Sequence, residues 1–239
     1  MAMQPFGPAE KMQEAAGKLI QYFSEQGRPL VFTGLEKGFA DVLACYPAAS
    51  FTIESDRDNF DYVYLAEHLI SLSGRKLHSK KNHLNAFHKA NPQAQYLPIT
   101  ADIIPACRAE LESWYALRIQ DEPDDPFIGW ERKAIMEIFD DYSYFGLQGG
   151  AILLDGRIIA FTLGEQLNEN TAVVHVEKAD PNIRGAYPAI NQAYVSSCWQ
   201  DMMYINREED MGHDGLRKAK ESYKPEKLIE KFNAQLIES

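Results

Sequence analysis

No apolar run in this chain of 239 residues approaches the ~20 needed for a membrane-spanning helix. The opening, MAMQPFGPAEK, lacks both the basic start and the apolar core of a secretory signal, so a cytoplasmic location is expected. Cysteine is scarce: Cys45, Cys107 and Cys198 lie far apart with no CxxC spacing, which excludes a disulfide framework and a thiolate zinc site. Each falls in an apolar helical context, so all three are expected to be buried free thiols in a reducing compartment. There is no P-loop, no HExxH, no dinucleotide fingerprint, and no spacing that makes a Ser-His-Asp or Cys-His arrangement. A net charge of -11 argues against general nucleic-acid binding, yet it leaves room for one local basic site.

The most informative absence is local. From His68 to Ala101 there is no acidic residue, while five cations (Arg75, Lys76, Lys80, Lys81, Lys89) and four of the six histidines (His68, His78, His83, His88) gather there. Wound as a helix after Gly74, GRKLHSKKNHLNAFHK places Arg75, His78, Asn82, Asn85 and Lys89 on one stripe roughly 80° wide. Leu77, Leu84 and Phe87 form a packing stripe mostly on the far side. A solvated face more often mixes Glu with Lys, because opposite charges at i,i+4 support a helix. Accumulated like charge points either to an anion site, for a phosphate, a lipid headgroup or a tRNA end, or to a basic helix contacting acids elsewhere in the fold. As an anion site the helix would use Arg75, His78, Lys81, Asn82, Asn85 and Lys89. Metal binding by His78, His83 and His88 is the weakest alternative, since a spacing of five does not keep them on one helical face.

Periodicity and turn residues give the rest of the order. Residues 8–26 read as a helix, 29–34 as a strand, 36–46 as a helix, 51–55 and 59–65 as strands, 66–72 as a short helix and 95–100 as extended. A helix over 100–119, the loop QDEPDDP (120–126) and a helix over 130–142 follow. Then come two strands around the Asp155-Gly156 turn within 149–167, a strand over 172–179, the loop PNIRG (181–185) and a helix from 186 to 200. A strand over 202–208 and a helix over 215–223 precede a mixed tail. Antiparallel strands followed by a βαβ crossover resemble the GNAT acyltransferase fold. The expected class is therefore α+β, as tandem GNAT-like halves over 1–99 and 100–239, the first incomplete.

Four segments carry a narrower resemblance: RDNFDYVY (57–64), GRKLHSKKNHLNAFHK (74–89), GAYPAIN (185–191) and INREEDMGHDGLRKAKESYKP (205–225). They are similar to a bacterial family of unknown function related to the C-terminal domain of phosphatidylglycerol lysyltransferase, and more distantly to Fem-type aminoacyltransferases. The resemblance implies tandem GNAT-like domains and transfer of an amino acid from aminoacyl-tRNA to an amine or hydroxyl. It implies additional N-terminal residues in relatives, so a shortened form is expected. The glycine-rich acyl-CoA loop of GNAT enzymes is reduced here to Ile183-Arg184-Gly185-Ala186, with Pro188 soon after, a poor cradle for a pyrophosphate.

In the segment 206–212, Asn206, Glu208 and Asp210 are expected to point one way from a strand end, Arg207 and Glu209 the other. Either Arg207 forms an ion-pair network with its acidic neighbours, or Glu208 or Asp210 is a base taking a proton from an attacking amine or hydroxyl. Asn206, Arg207 and Arg217 join the candidate anion-binding set. In the aminoacyltransferase relatives a lysine in a Lys-x-x-aromatic context steadies the oxyanion; Lys220, with Tyr223 three residues on, matches it, the alternative being a surface lysine. His175 and His213 read as structural, and Tyr187 and Tyr194 as core. The expected function is an acyl or aminoacyl transferase working in a cleft between the halves. Its rivals are a non-catalytic protein binding a phosphorylated ligand and an acyl-CoA-dependent N-acetyltransferase.

Overall fold

The computed structural model describes residues 1–121 and 126–237. Its contacts divide the chain into two compact units that interleave in sequence. The first takes Met1–Tyr62, Glu208–Lys220 and the chain from Lys227 onward; the second takes Val63–Arg207 and Glu221–Glu226.

In the first unit the elements are β1 (Ala2–Met3), α1 (Met12–Glu25), β2 (Val31–Glu36), α2 (Lys37–Ala44) and β3 (Ser50–Ser55). Strand β4 (Asp61–Leu65) begins here and ends in the second unit. The sheet runs β1-β2-β11-β3, where β11 (Lys231–Ile237) lies antiparallel to both β2 and β3. The tail expected to be mixed thus supplies an inner strand, its Ala234 buried with Phe32, Leu35, Phe39 and Leu43. Edge-to-face packing of Phe32 on Phe39, with ring centroids 5.5 Å apart, ties β2 to α2.

The second unit contains α3 (Ala66–Ser71), α4 (His78–Ala90), β5 (Gln95–Pro98), α5 (Ile104–Asp121), α6 (Pro126–Asp140) and α7 (Tyr142–Phe145). It continues with β6 (Gln148–Leu154), β7 (Arg157–Asn168), β8 (Thr171–Ala179), α8 (Ala186–Cys198) and β9 (Tyr204–Asn206). Helix α9 (Asp214–Ser222) spans the change of unit, and β10 (Lys227–Ile229) precedes β11. Strands β5 through β8 are antiparallel neighbours; β8 and β9 are parallel and joined by the α8 crossover; β4 is antiparallel to β9. This is the α+β class expected, in mixed sheets flanked by helices. The Asp155-Gly156 hairpin forms with both residues at positive φ (50° and 79°), the geometry of a two-residue turn that matches strand twist. Phe161 is fully buried on β7 and stacks on Trp114 of α5 at 5.9 Å.

Several expectations are corrected. The strand expected over 202–208 is only Tyr204–Asn206, because Glu208, Met211 and Gly212 take positive φ and turn the chain. The alternation of Asn206, Glu208 and Asp210 against Arg207 and Glu209 therefore does not exist beyond Asn206. Cys107 is buried, Cys198 half-buried, and Cys45 exposed at the end of α2. Tyr194 is core, whereas Tyr187 is 44% exposed. Helix reaches Asp121 and resumes at Pro126, and the remainder of the expected loop, 122–125, lies outside the described residues.

Candidate functional site

Asp210 is the hub of the first unit. Its side chain has no exposed surface, and both carboxylate oxygens are engaged. Arg217 donates from Nε at 2.8 Å to Oδ2 and from Nη2 at 2.7 Å to Oδ1, a two-pronged grip. The Tyr62 hydroxyl donates at 2.5 Å, Arg57 at 3.3 Å and the Gly212 amide at 3.0 Å. Arg217 also bonds Asp58 at 2.6 Å. Burial works against the Asp210 charge, but the bonds from Arg217, Tyr62 and Gly212 win and hold the carboxyl well below the usual carboxylate range. Burial and the Asp210 bond push the Tyr62 hydroxyl up. The segments 57–62 and 208–220 are thereby fastened to one carboxylate.

Lys220 is 8% exposed, an unusual burial for lysine. Its ammonium donates to the carbonyls of Glu208 (3.1 Å) and Glu209 (2.5 Å), which face it because the backbone turns at Glu208 (φ 56°). The nitrogen also lies 5.8 Å from the centre of the Tyr62 ring. Half-buried Glu209 behaves oppositely to Asp210: burial raises its carboxyl above the ordinary value, helped by Glu208 and Asp61.

The second unit holds a separate cationic cluster. Arg207, just past β9, donates to Glu177 of β8 at 2.8 Å, and the other Glu177 oxygen accepts from Asn191 of α8 at 2.8 Å. Burial disfavours the Arg207 charge, but Glu177 more than offsets it and the guanidinium stays above its usual range. The guanidinium carbon lies 4.8 Å from the centre of the Tyr223 ring and 5.6 Å from that of Tyr64. The half-buried Lys80 of α4 places its ammonium 4.3 Å from the same Tyr223 ring. Burial first, and Arg207 second, lower the Lys80 pKa, with Glu177 opposing.

Helix α4 is seated as its sequence dictates. A 3-10 turn over Arg75–Leu77 leads in from Gly74, and Leu77, Leu84 and Phe87 are buried. Arg75, His78, Lys81, Asn82, Asn85 and Lys89 are all exposed, and Lys81 donates to the Ser71 carbonyl at 3.1 Å. Among the described residues no carboxylate forms an ion pair with a cation of this helix. In the loop before α8, the amides of Asn182 and Ile183 bond Asp180, and the Ala186 amide bonds the Ile183 carbonyl. Those amides are spent inside the loop.

Residues 1–235 match the profile of a family described as phosphatidylglycerol lysyltransferase, C-terminal. The chain belongs to that family. A conserved protein of unknown function from Bacteroides thetaiotaomicron is 36% identical, with a TM-score of 0.88 over 98% of this chain and 78% of the other. L-PGS from Bacillus licheniformis shares the fold at 12% identity, with a TM-score of 0.68 over 98% of this chain and 76% of the other. An uncharacterized protein of Mycoplasmoides gallisepticum is 27% identical over 180 residues, 74% of this chain, which spans 56% of that relative's length. Among the described residues of this phosphatidylglycerol lysyltransferase C-terminal family member, no helix is long and apolar enough to cross a membrane.

The expected site residues fall into three groups. Asp210, Arg217 and Lys220 come together in the first unit with the Glu208 carbonyl. Arg207 belongs to the cluster of the second unit, paired with Glu177. Asn206 is buried where β9 meets Val63 of β4. The α4 stripe stands apart as an exposed row. Sequence reasoning missed Arg57, Tyr62, Lys80, Glu177 and Asn191. The first two lie in a quoted motif that offered no chemistry by itself. Lys80 falls about 140° around the helix from Arg75, outside the stripe.

Proposed function

We propose that the chain is a transferase domain that passes an acyl or aminoacyl group, from a donor such as aminoacyl-tRNA, to an amine or hydroxyl of an anionic acceptor. Membership of the lysyltransferase family supports the reaction class. The observation that carries the acceptor's charge is α4: a row of exposed cations with no carboxylate paired to it among the described residues. An anionic lipid headgroup such as that of phosphatidylglycerol meets this requirement.

In this reading Arg75, His78, Lys81, Asn82, Asn85 and Lys89 receive the acceptor. The carboxylate assigned to take the proton is Glu209, half-buried at the turn that Lys220 holds, where burial raises its carboxyl above the ordinary value and so makes it the stronger base. Asp210, held ionised by its donors, and Lys220, bonded to two carbonyls, act as positioning residues for the turn that carries Glu208 and Glu209. An acyl-CoA donor is disfavoured because the loop spends the amides of Asn182, Ile183 and Ala186 internally, which leaves fewer donors for a pyrophosphate. The same observation favours a second reading, a GNAT-like protein without a donor site that binds a phosphorylated ligand.

The test is a transfer assay with labelled aminoacyl-tRNA or acyl-CoA and vesicles with or without phosphatidylglycerol. Label entering the lipid from aminoacyl-tRNA is expected. Glu209→Gln is expected to slow turnover by about 10²–10⁴-fold, the usual contribution of a general base. No transfer from either donor would favour the binding protein. Unchanged turnover in Lys220→Ala would remove Lys220 from the mechanism.

A further inference from the structure

Lys80 has no place in the function just described, and its surroundings are unusual for a lysine. It is half-buried, lies over an aromatic ring that also faces an arginine, and forms no ion pair with a carboxylate among the described residues. The charged groups acting on it are Arg207 beyond β9 and Glu177 of β8, with Tyr223 beneath its ammonium. Its own helix contributes Lys76 and His83 at the i−4 and i+3 positions and no acid. Helix α8, which packs on α4, carries no charged side chain. The Lys80 ammonium is thus a half-buried charge that no carboxylate pairs among the described residues. Holding like charges together away from water is costly, and a single bound anion relieves it.

We propose that Lys80, Arg207 and Tyr223 form a binding site for a singly charged oxyanion, a phosphodiester or a carboxylate, with Glu177 and Asn191 fixing the arginine. Lys80 makes the direct contact, because it is accessible and its three donor hydrogens are not taken by a carboxylate. Arg207, gripped by Glu177, supplies field, and the Tyr223 ring faces both cations. Tyr223 itself stays a neutral phenol, since burial pushes its hydroxyl up. A monoanion matches the single charge of the Lys80 ammonium. The inference deepens the proposed function, on which it rests for the anion's role, not for the site.

Binding is coupled to protons. Burial and Arg207 lower the Lys80 pKa in the empty site, and an anion raises it, so binding takes up protons and weakens as pH rises. The experiment is calorimetry with dimethyl phosphate and with acetate in two buffers of different ionisation heat. The full chain is compared with Lys80→Gln and Lys80→Arg. Wild type is expected to bind one probe with affinity falling as pH climbs toward ~10, and to take up protons on binding in the alkaline range where Lys80 titrates. Lys80→Gln is expected to weaken binding at least ~10-fold, and Lys80→Arg to restore it without proton uptake, because arginine is always charged. Whichever probe binds names the source, a headgroup-like diester or a carboxylate. Equal binding by wild type and Lys80→Gln, or no saturable binding of either probe, overturns the proposal. Anion binding without any group transfer would sink the transferase reading and leave this site standing.

Discussion

Replacing Asp210 by alanine is expected to lower stability by about 3 kcal/mol, at the lower end of what breaking a buried ion pair costs. The lower end applies because Arg217 and Arg57 are partly exposed (26% and 35%) and regain water when their partner is lost. What remains is the Tyr62 hydroxyl and the Gly212 amide stripped of their acceptor. Urea unfolding at neutral pH measures it. The pH dependence identifies the source. Asp210 has a depressed folded-state pKa, so its contribution is complete above the unfolded value near ~3.9 and is lost as pH falls through the folded value. The gap between wild type and variant is therefore expected to narrow below about pH 4. A gap that stays constant into strong acid would mean that the carboxylate's charge is not what stabilises this corner.

Gly185→Ala is expected to cost about 2–5 kcal/mol, combining a crowded contact with a left-handed backbone. Gly185 opens α8 at φ 87°, where an L residue is strained. Its added Cβ would come 2.6 Å from the His83 carbonyl oxygen and 2.9 Å from the Phe87 Cβ, both on α4. Neither is the end of a flexible side chain, so the two helices must separate. Gly156→Ala supplies the comparison: φ is 79° but nothing lies within 4 Å, so only the backbone strain, about 1–2 kcal/mol, is expected. Unfolding curves for the two variants check this, and equal losses would show that the α4–α8 approach is not tight at Gly185.

Gly185 also illustrates how far the sequence was legible. The GAYPAIN segment is read correctly as a helix entry from a turn glycine and an early proline, both local signals. That its glycine presses on α4 is a tertiary fact with no local trace. Likewise the hydrophobic stripe of Leu77, Leu84 and Phe87 predicted which way α4 would face, because burial of an apolar stripe is dictated by helical period. The strand reading of residues 202–208 failed where positive-φ turns at Glu208 and Met211 interrupted it. Neither residue type announces such a turn, and here the Lys220 and Asp210 contacts that accompany it come from farther along the chain or from the next turn. Residues 231–237 alternate Phe232, Ala234 and Leu236 with polar residues, a strand pattern present in the sequence. Their pairing between β2 and β3, residues some 180 or more positions earlier, is set by where an open edge and an apolar face were available. In the site, charge was legible and partnership was not. The acid-free stretch flagged α4, yet Glu177 and Asn191 could not be linked to Arg207 by any spacing.

Transfer in this protein is expected to depend on the α4 row receiving the acceptor. Steady-state transfer kinetics of an Arg75→Glu/Lys89→Glu double variant measure this directly, alongside Lys18→Glu/Lys37→Glu on α1 and α2 as a charge-matched control outside the row. The Arg75→Glu/Lys89→Glu variant is expected to raise the acceptor KM by about tenfold or more, roughly 1.4 kcal/mol of lost binding, with kcat little changed. The control is expected to match wild type. An acceptor KM in the double variant equal to that of wild type and the control would contradict it.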